Sequence, residues 1–382
     1  MTDLIKKTVM LLSVALMFAA CSSDEPNNTT DQDQTKKALL TQYVNGVVVP
    51  TYRSLADEAI ALSNVCRQLA DEPSQSLVQQ ACDKWIEARK YWERSEAFLY
   101  GAAGDYYIDP HIDSWPLQKD KLDNVLSNAS LIAELKADGA AADGFSTLGY
   151  GLLGFHAIEY VLFRDGQARS VSDISENELI YNAAVAEDLA LQTARLEAAW
   201  AGIDNVTTQK RNMLEEAELQ PSFNYGEAMI NAGLSGNVSY KTQIDAMVEL
   251  MQGASDITDE VANTKMQDPI DSKNVLDVES WYSWNSYADF TDNLLSVRNA
   301  YYGSLNGSVN SNSMAAYMAK NFPSIDSDVR STLDNAIDAM SELAADKNEP
   351  FRNHLDAAYN KKAQDACNAL LARLDAAIEV IQ

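Results

Sequence analysis

Ala81-Cys-Asp-Lys-Trp85-Ile-Glu-Ala-Arg89-Lys-Tyr-Trp92-Glu-Arg-Ser-Glu96-Ala-Phe-Leu99 is the stretch whose reading decides the architecture of this chain. Wound as a helix, it places Trp85, Arg89, Trp92 and Glu96 in one stripe about 60° wide. Two tryptophans on a stripe call for apolar cover, so the segment reads as an amphipathic helix packed on a core. An arginine and a glutamate share that covered face. Burying a charge costs several kcal/mol unless it is paired. Arg89 and Glu96 therefore either form a buried ion pair that sets helix register or line a site with Trp85.

Outward from this segment, helical spacing recurs and strand-like alternation is nearly absent. The spacing predicts helices over about 37–70, 75–100, 117–136, 145–163, 176–202, 240–266, 280–302, 312–320, 326–346 and 351–381. Ser175-Glu-Asn-Glu178 is a capping-box pattern that starts one of them. Breaks at 203–208 and at the Asn-, Gly- and Ser-rich stretch 221–238 divide the body. The expectation is an all-α protein of two similar four-helix bundles, residues 37–205 and 206–382. Aromatic-rich helices ending in Tyr-Gly, at 85–101 and 281–303, suggest internal duplication.

A second unusual segment runs Gly144-Phe-Ser-Thr-Leu-Gly149-Tyr-Gly-Leu-Leu-Gly154-Phe-His156-Ala-Ile-Glu159-Tyr-Val-Leu-Phe163. On a helix Gly149, Leu152, His156, Glu159 and Phe163 share a face. Glycine inside a helix costs about 1 kcal/mol relative to alanine, so Gly149, Gly151 and Gly154 point to a close neighbour or ligand. His156 and Glu159 at i and i+3 offer a nitrogen and a carboxylate to a common centre. The competing reading is a carboxylate that holds a core histidine in one tautomer. In the second half, Phe290, Leu294, Val297 and Tyr301 define a stripe. Helical spacing puts Glu279, Ser283 and Ser286 on it and turns Asp289, Asp292 and Asn299 elsewhere. Glu279 reads either as an inward carboxylate or as an acid beside a helix dipole.

The chain has 382 residues, 46% of them hydrophobic, with 56 acidic against 29 basic side chains and a formal charge of −27. That composition supports sizeable cores and disfavours nucleic acid and other polyanions as partners. Three histidines leave little scope for a multi-histidine zinc cage, so any metal site must lean on carboxylates. Residues 1–20 read as a secretory signal: Lys6 and Lys7, then an apolar run, then Ala19-Ala20. Cys21 follows, in a setting that resembles a bacterial lipobox; the plainer reading is a signal peptide that happens to end at a cysteine. Residues 21–36 are polar and read as a flexible tether. These features place the body at the cell envelope, lipid-anchored to the outer membrane. Cys66 and Cys82 flank the turn Asp71-Glu-Pro73 and read either as a disulfide or as buried thiols.

Gly154-Phe-His156-Ala-Ile-Glu159, together with the Trp85–Phe98 segment, Val47-Val-Val-Pro50-Thr-Tyr52, Ile112-Asp113-Ser-Trp115-Pro116 and Glu279-Ser-Trp-Tyr-Ser283, resembles the imelysin family. The resemblance spans the whole body. It implies two helical bundles with the His-x-x-Glu residues in a cleft. It also implies a class of metallopeptidase (M75) named after an insulin-cleaving membrane protease and associated with iron uptake. Carried onto this chain, it matches His156 and Glu159 to the motif and Glu96, Arg89 and Ser283 to the cleft; taken with the residue readings above, the candidate metal ligands are His156, Glu159 and Glu96, and the candidate ligand-binding residues are Arg89, Trp85, Asp113, Glu279 and Ser283. Three functions follow as expectations. The first is a binder of a divalent or iron cation, working with iron- or haem-uptake components. A metallopeptidase using Glu159 or Glu96, without a His-Glu-x-x-His motif, is the second. The third is a metal-free binder of peptides or acidic ligands through Arg89.

Overall fold

Helical periodicity is realised in the computed structural model, which describes residues 31–135, 149–346 and 349–382. The signal segment, Cys21, the tether as far as residue 30 and the Gly144 end of the glycine-rich segment lie outside the described residues. Among those residues the protein is all-α apart from one two-stranded hairpin.

The first half is built from α1 (Asp31–Tyr43), α2 (Val49–Asp71), α3 (Gln75–Glu93), α4 (Gly154–Leu162) and α5 (Glu176–Ala201). Helix α1 begins six residues earlier than the periodicity indicates, with Asp33 in its first turn, where an acid suits the dipole. A π turn at Val44–Val48 joins α1 to α2. Ser74 caps α3, and Ser175 with Glu178 forms the capping box of α5. The second half contains α6 (Gln243–Glu260), α7 (Ser286–Tyr302), α8 (Met314–Asn321), α9 (Pro323–Ala345) and α10 (Ala358–Ile381). A second π turn, Val261–Lys265, ends α6. Helices α2, α3, α4 and α5 pack on one another, as do α6, α7, α9 and α10, and α7 lies against α3 to join the halves. One apolar core runs from Leu39 to Ile381, with a small satellite at Ala194, Ala198, Val206 and Leu214. Trp85 and Trp92 of α3 are wholly inside it, each contributing roughly 1.5–3 kcal/mol or more of burial free energy.

Several expected helices are shorter than their periodicity, and the differences at 145–163 and 280–302 shape the site. The segment 145–163 is helical only from Gly154, preceded by a short 3-10 turn at Tyr150–Leu152. Gly149 and Gly154 have φ of 84° and 69°, so the chain turns there instead of continuing a helix. Gly149 and Leu152 therefore leave the face carrying His156. Beyond Leu162, Asp165-Gly166 forms the tight turn of the hairpin that pairs Phe163 with Ala168. Likewise 280–302 is helical only from Ser286, because Ser280 and Trp284 adopt left-handed φ of 52° and 62°. Glu279 stands outside the helix, and the dipole reading falls. The 117–136 stretch breaks into Lys119–Leu126 and Ala129–Leu135 within the described residues.

Cys66, Cys82 and Cys367 are buried free thiols, so the expected Cys66–Cys82 disulfide is not formed. Cys66 accepts a hydrogen bond from Asn182 and Cys82 donates to the Leu162 carbonyl, which satisfies each separately. Burial pushes the Cys66 and Cys367 thiols up to about 12. All three are expected to react with a thiol reagent only after denaturation, as mass spectrometry of labelled protein will report. A Cβ added at Gly154 would lie 1.9 Å from the Ile112 carbonyl oxygen. Gly154→Ala is therefore expected to cost about 2–4 kcal/mol, read as a lowered denaturant midpoint.

Candidate functional site

Arg89 on α3 is completely buried where the halves meet. Its guanidinium bonds Asp113, reaches Glu279 Oε1 at 2.6 Å and Glu93 Oε1 at 2.5 Å, and lies 3.6 Å from Asp289. Helix α3 ends at Glu93, and the chain then tightens into a 3-10 turn at Glu96–Phe98. That change of pitch rotates Glu96 off the stripe, so Arg89 pairs with Glu93, one helical turn on, and not with Glu96. Trp85 donates to the Phe155 carbonyl and seats α4; it lies in the core. Trp92, two turns on, donates to Asp113 Oδ2 at 2.6 Å.

Gly154 presses against the backbone of Ile112 and so brings the neighbouring Asp113 to His156. Their Nε2–Oδ1 distance is 3.1 Å, yet the direction is wrong for a hydrogen bond, and this buried nitrogen has no other hydrogen-bond partner. Ligand atoms of Asp113, His156 and Glu279 lie within 4.8 Å of one another, a group that could hold a metal ion. A second group, Glu93, Glu96 and Asp113, shares Asp113 with the first. Glu159 belongs to neither. Its Oε2 faces His156 Nδ1 at 3.3 Å, and its Oε1 accepts from the Tyr282 amide, the Ser283 amide and Ser283 Oγ at 3.1, 2.8 and 2.7 Å. Glu159 thus orients the imidazole, and Ser283 holds Glu159. His111 pairs with Asp188 and His354 is half-buried, both apart from this group.

Sequence reasoning missed Glu93, Asp289 and Lys265. Glu93 is four residues from Arg89, a spacing that itself signals an ion pair. Asp289 lies off the stripe of Phe290, Leu294, Val297 and Tyr301, yet α7 is covered on more than one face, against α3 as well as its own half, so this acid is buried and accepts from Ser280 and Asn285 at 2.5 and 2.6 Å. No local pattern marks Lys265. The π turn carries it inside, where its ammonium meets Glu279 at 3.1 and 3.2 Å and approaches Glu93 and Glu96 at 3.7 and 3.8 Å. Next to it opens a cleft of about 490 Å³ lined by Glu96, Asp109, Asp113, Asp256, Glu260 and Lys265. A larger cavity of about 820 Å³ meets the segment 279–285 from elsewhere, at Ser283, Trp284 and Asn285.

Fold and site define an all-α protein with one buried histidine set among carboxylates that can gather around a cation. The model of the imelysin (peptidase M75) family matches residues 48–378, and the chain belongs to this family. Iron-regulated protein A of Synechococcus elongatus is 25% identical over 366 residues, covering 96% of this chain and 89% of that protein. A crystal structure from Parabacteroides distasonis, titled "putative iron-regulated protein A precursor", matches with a TM-score of 0.77 and 28% identity over 91% of this chain and 95% of the other. An imelysin-like protein from Psychrobacter arcticum shares the fold, with a TM-score of 0.64 at 13% identity over 89% and 93% of the two chains.

The cluster holds six carboxylates, on Glu93, Glu96, Asp113, Glu159, Glu279 and Asp289, against two permanent cations, Arg89 and Lys265. Burial raises Glu93 and Glu96 well above the usual carboxylate range, only partly offset by Arg89 at Glu93 and by Lys265 at both. Burial also takes Asp289 to about 7 against the pull of Arg89. Asp113 goes the other way: burial raises it, but Arg89 and His156 outweigh that and hold it well below the usual range. For His156, burial opposes the charged form, yet Asp113 and Glu159 lift it to about 9. A raised pKa stabilises the fold below the ordinary value and loses that contribution as pH rises through the folded value. Metal-free protein is therefore expected to lose stability as pH rises, through about 7 for Asp289 and from about 6.5 to about 9 for His156. Asp113 has the opposite sign and weakens the fold in acid. Melting temperatures across pH check this, and His156→Gln is expected to flatten the decline above pH 7.

Proposed function

We propose that this protein is a cell-envelope lipoprotein that captures a divalent or iron cation on Asp113, His156 and Glu279, with Glu159 and Ser283 fixing the imidazole. One observation carries the reading: three ligand atoms from three separate segments converge within 4.8 Å in a cluster short of positive charge. One nitrogen with two carboxylates suits iron or manganese better than a thiolate-loving ion. His156 Nε2, which faces Asp113 at 3.1 Å without an aligned hydrogen bond, is placed to take an electrophilic partner shared with that carboxylate. The acidic cleft, which ends on Asp113, supplies an approach whose field favours cations. Similarity to proteins named iron-regulated supports a link to iron or haem uptake, with uptake components as partners. The Cys21 signal and polar tether support anchoring to the outer membrane, while no helix among the described residues is long and apolar enough to cross a membrane. The same reading takes the two four-helix sets as products of duplication, supported by the π turn that interrupts an early helix in each half.

A peptidase would draw on the same group, with Glu159 or Glu96 as general base. Against this, the carboxylate of Glu159 is already engaged by Tyr282, Ser283 and His156. A metal-free clamp for acidic ligands would need a free guanidinium, whereas Arg89 is committed to four carboxylates.

Metal analysis and calorimetric titration with Mn²⁺ and anaerobic Fe²⁺ test the proposal. The expected outcome is one His156-dependent high-affinity ion. His156→Ala and Glu279→Gln should each weaken binding by more than about 100-fold, since loss of an outer partner alone costs roughly 10–100-fold. Ser283→Ala should fall in that smaller range. Wild-type protein that binds neither ion, or binds equally in His156→Ala, overturns the reading.

A further inference from the structure

Lys265 sits where an entering cation would have to go. Its ammonium is within 3.2 Å of both oxygens of Glu279, a member of the Asp113, His156 and Glu279 group. Glu93 and Glu96 belong to the second group, and it approaches them only to 3.7 and 3.8 Å. The ammonium thus touches both candidate groups and is tightly bonded to one residue alone.

The other buried cation is held differently. Arg89 is fastened by Asp113, Glu93 and Glu279, with Asp289 alongside, and its guanidinium lies over the Phe155 ring. A planar fork with that many partners cannot leave without orphaning several carboxylates. A lysine is a point charge on a flexible stem, and this one also lines the acidic cleft, beside Glu96, Asp109, Asp256 and Glu260. Carboxylates to receive it and space to move into lie on the same side.

We propose that Lys265 is a built-in cation surrogate: its ammonium neutralises Glu279 until an ion binds, then withdraws into the acidic cleft. The inference rests on the metal-binding reading above. Like charges a few ångströms apart in a poorly screened interior repel strongly, so ion and ammonium do not share Glu279. The lysine keeps the carboxylates apart and paired in the empty protein, and it raises the concentration of ion needed for occupancy. Residual positive charge also discriminates against monovalent ions, which cannot outcompete an ammonium of equal charge.

Calorimetric titration with Mn²⁺ of wild-type protein, Lys265→Met and Lys265→Arg provides the test, with circular dichroism to verify folding. Removing the competitor should tighten Mn²⁺ binding by at least about tenfold in Lys265→Met, while Lys265→Arg, which retains the charge, binds no better than wild type. Metal-free Lys265→Met should melt lower than wild type and gain more from added Mn²⁺. Folded Lys265→Met that binds Mn²⁺ no tighter than a His156-dependent wild type overturns this inference and leaves the metal reading standing. Mn²⁺ binding by neither protein overturns both. Independently of any variant, the Mn²⁺-loaded wild-type structure should show Nζ of Lys265 withdrawn from Glu279 towards Glu260. An ammonium still bonded to Glu279 beside a bound ion overturns the proposal.

Discussion

A guanidinium without solvent organises this molecule. Arg89 draws Glu93 from its own helix, Asp113 from the turn just after Ile112, and Glu279 and Asp289 from the second half. Each of those carboxylates would be prohibitively costly in the core alone, and the arginine would be equally costly without them. The interaction is therefore cooperative. It can form only when three distant stretches of chain have arrived, which ties the junction of the two halves to the geometry of the site.

Such a cluster is not an economical way to hold a protein together, because apolar packing of the same volume is often as stable or more so. What it supplies instead is unbalanced charge in a defined place. Two fixed cations do not neutralise six acids, and the difference must be made up by protons, by His156 or by an entering ion. The raised acids and the raised imidazole are the two ways the metal-free protein makes up that difference. A cation would release those protons and take their role.

The helical character of α2, α3 and α5, the segment with Trp85 and Arg89 on one face, the capping box at Ser175 and the inward aim of His156 were legible because each depends on neighbours a few residues away. The site was legible only in part. Glu96 was chosen over Glu93 since a uniform helical pitch was assumed past the residue where α3 actually stops. Asp289 lies off the apolar stripe of its helix and is buried only because α3 of the other half covers that second face, which no apolar pattern within α7 reveals. The roles of Glu159 and Glu279 depend on which carboxylate oxygen faces which neighbour, a matter of fractions of an ångström.

Local periodicity and composition were enough to specify an all-helical chain, its acidic character, and a histidine and an arginine facing inwards, because these follow from spacing along a single helix. Which acids surround them was settled only when the chain folded. The close approach of Gly154 to Ile112, the early end of α3, the π turn under Lys265 and the twisted segment before α7 are set by packing between segments far apart in the chain, and that long-range packing has no signature in a window of neighbouring residues.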